Sequence, residues 1–323
     1  MDIKTGVIGI GSMGQHHARV YNQISNLVAI ADPDENLGRK AAKKWGVKWY
    51  RDYKEMLPLV DAVTVAVPTS LHYQVSKDVI QSGVHLLVEK PLAGCVEEAE
   101  KIVALAKSAG IKLAAGHIER FNPVIGFAKK KLEKGEWGKV ITLSAKRLSS
   151  YPIRINDVGV LFDLSIHDVD IIRYLAGSEV NSIIAVGGSN INENFEDYIV
   201  ISMKFKNSTL GLCETNWLTP KKVREINITT DFGYISINML EQKIEIFKRN
   251  NDTSSTSTHF STDTIIEQIS LDKEEPLKLE LEDFLNSIEN NKEPLVSGEE
   301  GLEAVKTIEA AVFSLKYDSI IKI

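Results

Sequence analysis

Six residues near the start of the chain restrict its fold more than any other feature. The run Gly6–Gly11 (GVIGIG) reads as a buried strand, and its last glycines open the spacing Gly9-x-Gly11-x-x-Gly14. Helical periodicity then carries on to about Ile24. Glycines let a backbone turn tightly and approach an anion closely, and the following helix start presents N–H groups and the positive end of its dipole. Asp32 stands 23 positions after Gly9, at the end of the next strand, Leu27–Asp32. A carboxylate at that place accepts hydrogen bonds from an adenosine ribose diol. Strand, glycine turn, helix and acid together predict a dinucleotide site with Gly9, Gly11, Ser12, Met13, Gly14 and Asp32 as cofactor contacts. A ligand-free turn or a methyltransferase-like nucleoside pocket would use the same spacing. Asp32 repels a 2′-phosphate, and Pro33 and Asp34 follow it with no arginine, so NAD is expected over NADP.

The rest of the first third keeps this rhythm. Ala62–Val67, His85–Glu89 and Lys112–Gly116 are apolar runs separated by amphipathic segments, and Val96, Ala99, Val103 and Ala106 mark one helical face. Strands that are apolar on both faces and alternate with helices indicate a parallel sheet covered on both sides. The predicted class is therefore α/β, with a doubly wound parallel sheet over residues 1–120. After Phe121-Asn122-Pro123 the pattern changes. Val140–Lys146 alternates polar and apolar positions, and 181–190, 197–205, 208–217, 223–230 and 232–238 read as strands. One helix, about Asp163–Leu175, interrupts them. This predicts a second, α+β domain over 121–323, built on a large, mostly antiparallel sheet. The polar stretch Asn250–Asp263 reads as a loop or hairpin tip. Two helices follow, with apolar stripes Leu277, Leu281, Phe284, Leu285, Ile288 and Leu302, Val305, Ile308, Val312, Leu315. Ser297 and Glu300 have capping-box spacing before the second, which is a candidate to pack back on the first domain.

Composition narrows the class of function. The 323 residues suit about two domains. Lys and Arg number 38 against 44 Asp and Glu, a net charge of −6 that disfavours nucleic acid and anionic membrane as partners. Cys95 and Cys213 form no CxxC pair, so neither a zinc site nor a redox pair is expected, and no metal is invoked. There is no signal-like start and no run near the roughly 20 apolar residues that span a bilayer. A soluble, cytoplasmic protein is the expectation.

Two further segments carry chemistry. Glu89-Lys90-Pro91 sits where a strand leaves the sheet, and such strand ends line the ligand crevice of open α/β sheets. Lys90 is either a substrate-facing cation or a solvated loop residue. Val67-Pro68-Thr69 occupies the corresponding end of an earlier strand and is expected to touch the cofactor. His72, just after it, suits helix-start packing or a place in the cofactor site. In the second domain Asp163 and His167 are i, i+4, which on a helix puts them one turn apart on one face, with Asp170 on the same side. A carboxylate beside a histidine fixes its tautomer and raises its basicity, as a general base needs. An ordinary helical Asp–His pair and a two-ligand metal site are the other readings.

Together these segments resemble the Gfo/Idh/MocA oxidoreductase family. The resemblance rests on GIGSMG, VPTSLH, VEKPLA, GHIERFNP, FDLSIHDVDIIRYLAG and the tail EPLKLELEDF…VSGEEGLEAV, in order along nearly the whole chain. It implies an N-terminal Rossmann domain, a C-terminal α/β domain on a large antiparallel sheet, and a homodimer or homotetramer formed through the exposed sheet face. It implies a cis Lys90–Pro91 bond. It implies that His167 takes a proton from a sugar hydroxyl, that Lys90 positions that hydroxyl, and that Asp163 supports the imidazole, with the Lys90 and His167 roles open to exchange. Glu89, Lys90 and Pro91 join Val67, Pro68, Thr69 and His72 as implied cofactor contacts. GHIERFNP is similar to members acting on nucleotide-activated amino sugars, which implies oxidation of the 3-hydroxyl of a UDP-N-acetyl amino sugar. Arg120, Arg147 and Arg154 are candidates for the diphosphate, with Asn122 beside them as a further substrate contact. A free polyol or sugar dehydrogenase, an NAD-dependent glycosidase and a non-catalytic NAD-binding regulator stand as alternatives.

Overall fold

A computed structural model describes residues 2–152, 158–191, 194–249 and 264–323. The first elements are β1 (Lys4–Ile8), α1 (Ser12–Ile24), β2 (Asn26–Ala31), α2 (Glu35–Trp45), β3 (Lys48–Tyr50), β4 (Ala62–Val65), α3 (His72–Gln81), β5 (His85–Glu89), α4 (Val96–Ala109) and β6 (Leu113–Gly116). Their strands form a six-stranded sheet in the order β3-β2-β1-β4-β5-β6, with every neighbouring pair parallel. The order reverses direction between β1 and β4, which is where such sheets open a ligand crevice. Side chains alternate across the sheet as the strand period demands. Ile8, Val63, Val65, Leu86 and Val88 join one buried cluster with Val79 and Ile80 of α3 and Ala99 and Ile102 of α4. Val7, Ile30, Ala62 and Leu87 join the other, with Ala18 and Tyr21 of α1.

Helix ends follow local chemistry. The Asp34 side chain accepts from Leu37 N–H at the start of α2, and Gly46 and Gly110 end α2 and α4 in the left-handed conformation. Two differences from the sequence reading stand out. β1 stops at Ile8, because the chain turns at the glycines rather than after them. β3 has only three residues, Lys48-Trp49-Tyr50, too few to show a period.

The later elements are α5 (Pro123–Glu133), β7 (Val140–Ser150), α6 (Ile166–Ala176), β8 (Val180–Gly188), β9 (Tyr198–Phe205), β10 (Leu210–Asn216), β11 (Leu218–Thr230), β12 (Gly233–Asn238), β13 (Lys243–Arg249), β14 (Thr264–Ser270), α7 (Pro276–Glu289), α8 (Gly298–Tyr317) and β15 (Ile321–Lys322). A nine-stranded sheet runs β14-β13-β12-β11-β7-β10-β9-β8-β15, antiparallel except between β7 and β10. One face is core: Ile199, Ile201, Met203 and Phe205 of β9 are buried. The opposite face exposes Ile184, Val186, Tyr198, Val200, Leu210 and Leu212, so it is apolar where a solvated face would be polar. Asn250–Asp263 lies outside the described residues.

The chain divides into two units by its contacts: 1–121 with 275–306, and 122–274 with 307–323. The division at Phe121 falls at the change of pattern read from the sequence, but α7 and the start of α8 group with the first unit. Leu277, Leu281, Phe284 and Leu285 of α7 share the buried cluster of Tyr21 and Leu27. An apolar stripe says that a helix is packed, not which sheet it covers.

Candidate active site

In the first unit the glycines of the fingerprint do different things. Gly9 has φ +86° and its N–H donates to Ala31 O at 2.8 Å. A methyl on Gly14 would lie 1.8 Å from Gly9 O, so helix and loop touch backbone to backbone, whereas one on Gly11 would meet nothing within 4 Å. Gly11 caps α1 without a side-chain hydrogen bond, and Ser12 and Met13 are exposed in the first turn. This open glycine turn at a helix start fits a pyrophosphate. Asp32 braces the loop as well as marking it: Oδ2 accepts from Ile10 N–H at 2.7 Å and Oδ1 from Asp34 N–H at 2.8 Å. A carboxylate has about four lone-pair directions, so acceptor capacity remains for a ribose diol.

Two strand-end loops flank this turn in the same sheet. Val67 and Thr69 are half-buried and Pro68 is exposed. His72 is not a surface contact: it is 1% exposed, with Nδ1 2.7 Å from Pro91 O and Nε2 2.9 Å from Val67 O. It ties the two loops together through their carbonyls. Burial pushes its imidazole below the ordinary histidine value, despite both carbonyls favouring the charged ring. Lys90 is half-buried at the exit of β5, and the Lys90–Pro91 bond is cis. Glu89 is buried and its side chain is turned onto His17. Its Oε1 lies 2.7 Å from His17 Nε2. Burial pushes the Glu89 carboxyl up, but the His17 hydrogen bond and the Lys90 charge outweigh this and hold it below the usual carboxylate range. His17 was not singled out in the sequence, although a histidine three residues after Gly14, on the buried side of α1 with Ala18 and Tyr21, was the available signal.

Glu280 of α7 was missed for the same reason, an acid within an apolar stripe. It is 2% exposed, and neither carboxyl oxygen has a hydrogen-bond partner among the described residues. Burial, with the charges of Glu89 and Asp283 behind it, pushes its carboxyl well above the ordinary value of 4.5. A group raised on folding contributes full stability below its unfolded value and loses it as pH rises toward the folded one. Glu280→Gln mimics the protonated acid at every pH. It is expected to match the parent in melting temperature near about pH 4.5 and to exceed it by a widening margin of a few degrees toward about pH 8. A margin that stays constant across that range would show that Glu280 keeps its ordinary acidity.

In the second unit a single π-helical turn, Leu161–Ser165, leads into α6. Its start is held by Glu196, whose Oε1 accepts from Leu161 N–H at 2.9 Å. This corrects the expectation of one uninterrupted α-helix from Asp163. Hydrogen bonds in a π turn reach one residue further, so Asp163 precedes α6 proper and its offset from His167 is not that of a plain i, i+4 pair. Such turns are frequent at functional sites. Asp163 and His167 are both half-buried, while Asp170, read as sharing their side, is 1% exposed.

Of the expected substrate cations, the structure buries Arg147 and Arg120 in ion pairs. Arg147 is 2% exposed, and its Nε donates to both oxygens of Asp168 at 2.9 and 3.0 Å. Arg120 is also 2% exposed and donates to Glu300 Oε2 at 2.6 Å. The same contact explains why the capping box is half-formed. Ser297 Oγ accepts from Glu300 N–H at 3.4 Å, but the Glu300 carboxylate is drawn to the guanidinium, a stronger charge-assisted partner. Asn122 spends its amide on backbone, capping α5 at Val124 N–H and donating to Met239 O at 3.1 Å. Arg154 lies outside the described residues. Among those residues no group of three or more His, Cys, Asp or Glu is placed to hold a metal ion, and no helix is long and apolar enough to cross a membrane.

Comparison with known proteins gives two family matches. Residues 3–117 match the NAD-binding Rossmann fold of the Gfo/Idh/MocA oxidoreductases, and residues 129–323 match their C-terminal alpha/beta domain. The chain belongs to the Gfo/Idh/MocA oxidoreductase family. Its first unit is therefore a nicotinamide-cofactor-binding Rossmann domain. One relative in this family is the UDP-N-acetylglucosamine 3-dehydrogenase of Acidithiobacillus ferrooxidans, 30% identical over 93% of this chain and 93% of that protein. Its solved structure matches with a TM-score of 0.89 over 98% of this chain and 99% of that one, at 28% identity. The scyllo-inositol 2-dehydrogenase (NAD(+)) of Bacillus subtilis is 29% identical over 91% of this chain and 89% of its own length.

Proposed function

We propose that this protein oxidises a ring hydroxyl of a sugar, and that the sugar is a UDP-N-acetyl amino sugar oxidised at its 3-hydroxyl. The observation that carries this reading is the end-to-end likeness to UDP-N-acetylglucosamine 3-dehydrogenase, and the residues assigned to the chemistry are those that the motif resemblance implies, Lys90 of VEKPLA and Asp163 and His167 of FDLSIHDVD. His167 takes the hydroxyl proton, as a near-neutral base is suited to do. The Lys90 ammonium orients that hydroxyl and stabilises the developing alkoxide. Asp163 orients the imidazole and offsets the charge that it gains. Bound NAD supplies the acceptor for the carbon-bound hydrogen. NAD is the reading over NADP because the Asp32 carboxylate repels a 2′-phosphate. The exposed apolar face of Ile184, Val186, Tyr198, Val200, Leu210 and Leu212 supports a homodimer or homotetramer. Two free cysteines support a cytoplasmic setting.

A second reading, dehydrogenation of a free polyol, is favoured by two observations. Both Arg120 and Arg147 are buried in ion pairs, which leaves the diphosphate without these two cations. The likeness to inositol dehydrogenases supports it too. The test is a panel of UDP-sugars, free hexoses and inositols with NAD or NADP, followed by NADH or NADPH absorbance, with an aminotransferase to draw off keto product. Turnover on a UDP-N-acetyl amino sugar, competition by UDP and preference for NAD are expected. Turnover on an inositol alone, unaffected by UDP, establishes the second reading instead.

A further inference from the structure

The Glu89 carboxylate ends a line of buried hydrogen bonds that crosses the first unit. Oε2 accepts the Lys90 N–H at 3.2 Å while Oε1 meets His17 Nε2. The other imidazole nitrogen, Nδ1, lies 3.3 Å from Thr64 Oγ1, and Thr64 Oγ1 lies 3.0 Å from Tyr21 Oη. His17, Thr64 and Tyr21 have no exposed surface. One order of donation satisfies every atom: Tyr21 O–H to Thr64, Thr64 O–H to His17 Nδ1, and His17 Nε2–H to Glu89. The line therefore starts on the helix that carries the glycine fingerprint, passes through β4, and ends on the backbone of Lys90. The carboxylate is also walled in. A methyl on Gly116 of β6 would sit 3.0 Å from Glu89 Cα and 3.2 Å from its Oε2.

We propose that His17 is a positioning residue for Lys90, acting through Glu89. It fixes the point at which the lysine leaves β5. The inference rests on Lys90 being catalytic. Glu89 must accept from His17 and from Lys90 N–H at once, and only a carboxylate offers both oxygens as acceptors. In Glu89→Gln the amide NH2 cannot accept, so either His17 reverses its tautomer against Thr64 and Tyr21 or the Lys90 N–H is released. His17→Gln breaks the line at the ring. A shift of about an ångström at a reacting group costs about a hundredfold in rate.

The test uses the full chain and its best substrate from the panel, with Glu89→Gln, His17→Gln, Lys90→Ala and the double variant His17→Gln/Lys90→Ala. Melting temperature, NADH affinity, kcat and KM are measured for each. Both single variants are expected to lose about ten- to a hundredfold in kcat, with NADH affinity and KM within about twofold of the parent. The double variant is expected to be no slower than Lys90→Ala alone, because a residue that works through the lysine has nothing left to position. Unchanged kcat in the folded single variants overturns the proposal. So does a loss that adds in full to that of Lys90→Ala, which would mark His17 as a general structural residue. If His17→Gln does not fold, the near-isosteric Glu89→Gln decides by the same readouts. Full turnover in Lys90→Ala would instead sink the catalytic reading of Lys90, a result separate from the other two.

Discussion

Lys90→Ala and His167→Ala are each expected to lower turnover by roughly a thousandfold while leaving NADH affinity within about twofold. The size follows from what each group does on the proposed assignment. A positioned base contributes on the order of a hundred- to ten-thousandfold, and a fixed charge at a developing alkoxide contributes comparably. The preserved affinity follows from where the proposed pyrophosphate and ribose contacts lie. The open turn at Gly11, the exposed first turn of α1 and Asp32 are all in the first unit, and neither substitution removes one of them. NADH fluorescence titration beside steady-state turnover separates the two effects. A His167→Ala chain that no longer binds NADH would mean that the histidine supports structure rather than chemistry.

Gly14→Ala should fail in a different way from Gly11→Ala. The added methyl at Gly14 would lie 1.8 Å from the Gly9 carbonyl, a backbone atom that cannot swing aside as a side chain could. Gly9 is itself held by Ala31 O, and the adjacent Ile10 by Asp32, so the turn has no slack in which to relax. A drop of several degrees in melting temperature and a loss of at least about tenfold in NADH affinity are expected together. At Gly11 a methyl meets no protein atom within 4 Å. It should leave the melting temperature almost unchanged and still weaken NADH binding by about tenfold, because it fills space that the pyrophosphate needs. Thermal melts paired with NADH titrations distinguish the two variants. Equal binding by Gly11→Ala and the parent would place the pyrophosphate elsewhere.

Much of the first domain was legible because its strands are apolar on both faces. His85–Glu89 and Val96–Ala109 match runs visible in the sequence, and the glycine spacing lies where a parallel sheet opens. α5, β13 and β14 were not read. α5 is short and rich in lysine, and β14 carries apolar residues on both faces at a sheet edge, so neither shows a clean period. Residue types that the proposed chemistry needs, such as Lys90 and His167, could be picked out of the sequence as candidates, whereas what surrounds them could not. Arginine in a sequence signals positive charge but not its partner. The carboxylates that take up Arg120 and Arg147 lie 180 and 21 positions away. His17 and Glu280 show the same limit, since a titratable residue in an apolar stripe reads as a packing position until its neighbours across the fold are known.

The late return of the chain to its first unit has a consequence for how the protein is made. One face of the parallel sheet is covered by α1, α2 and α7, and α7 supplies Leu277, Leu281, Phe284 and Leu285 to that cluster. A ribosome releases those residues only after eight of the nine strands of the second sheet have been synthesised, all but β15. Until then the first 121 residues have the fingerprint and all six strands of their sheet, but lack α7 on one face and Val296 and Val305 on the other. The nascent domain waits with apolar surface uncovered, and its final closure is tied to completion of the last helices. Cutting the gene after Phe121 would therefore not release a self-sufficient cofactor-binding module. A permuted chain that joins 275–306 directly to the first unit would be the smaller piece that keeps both walls.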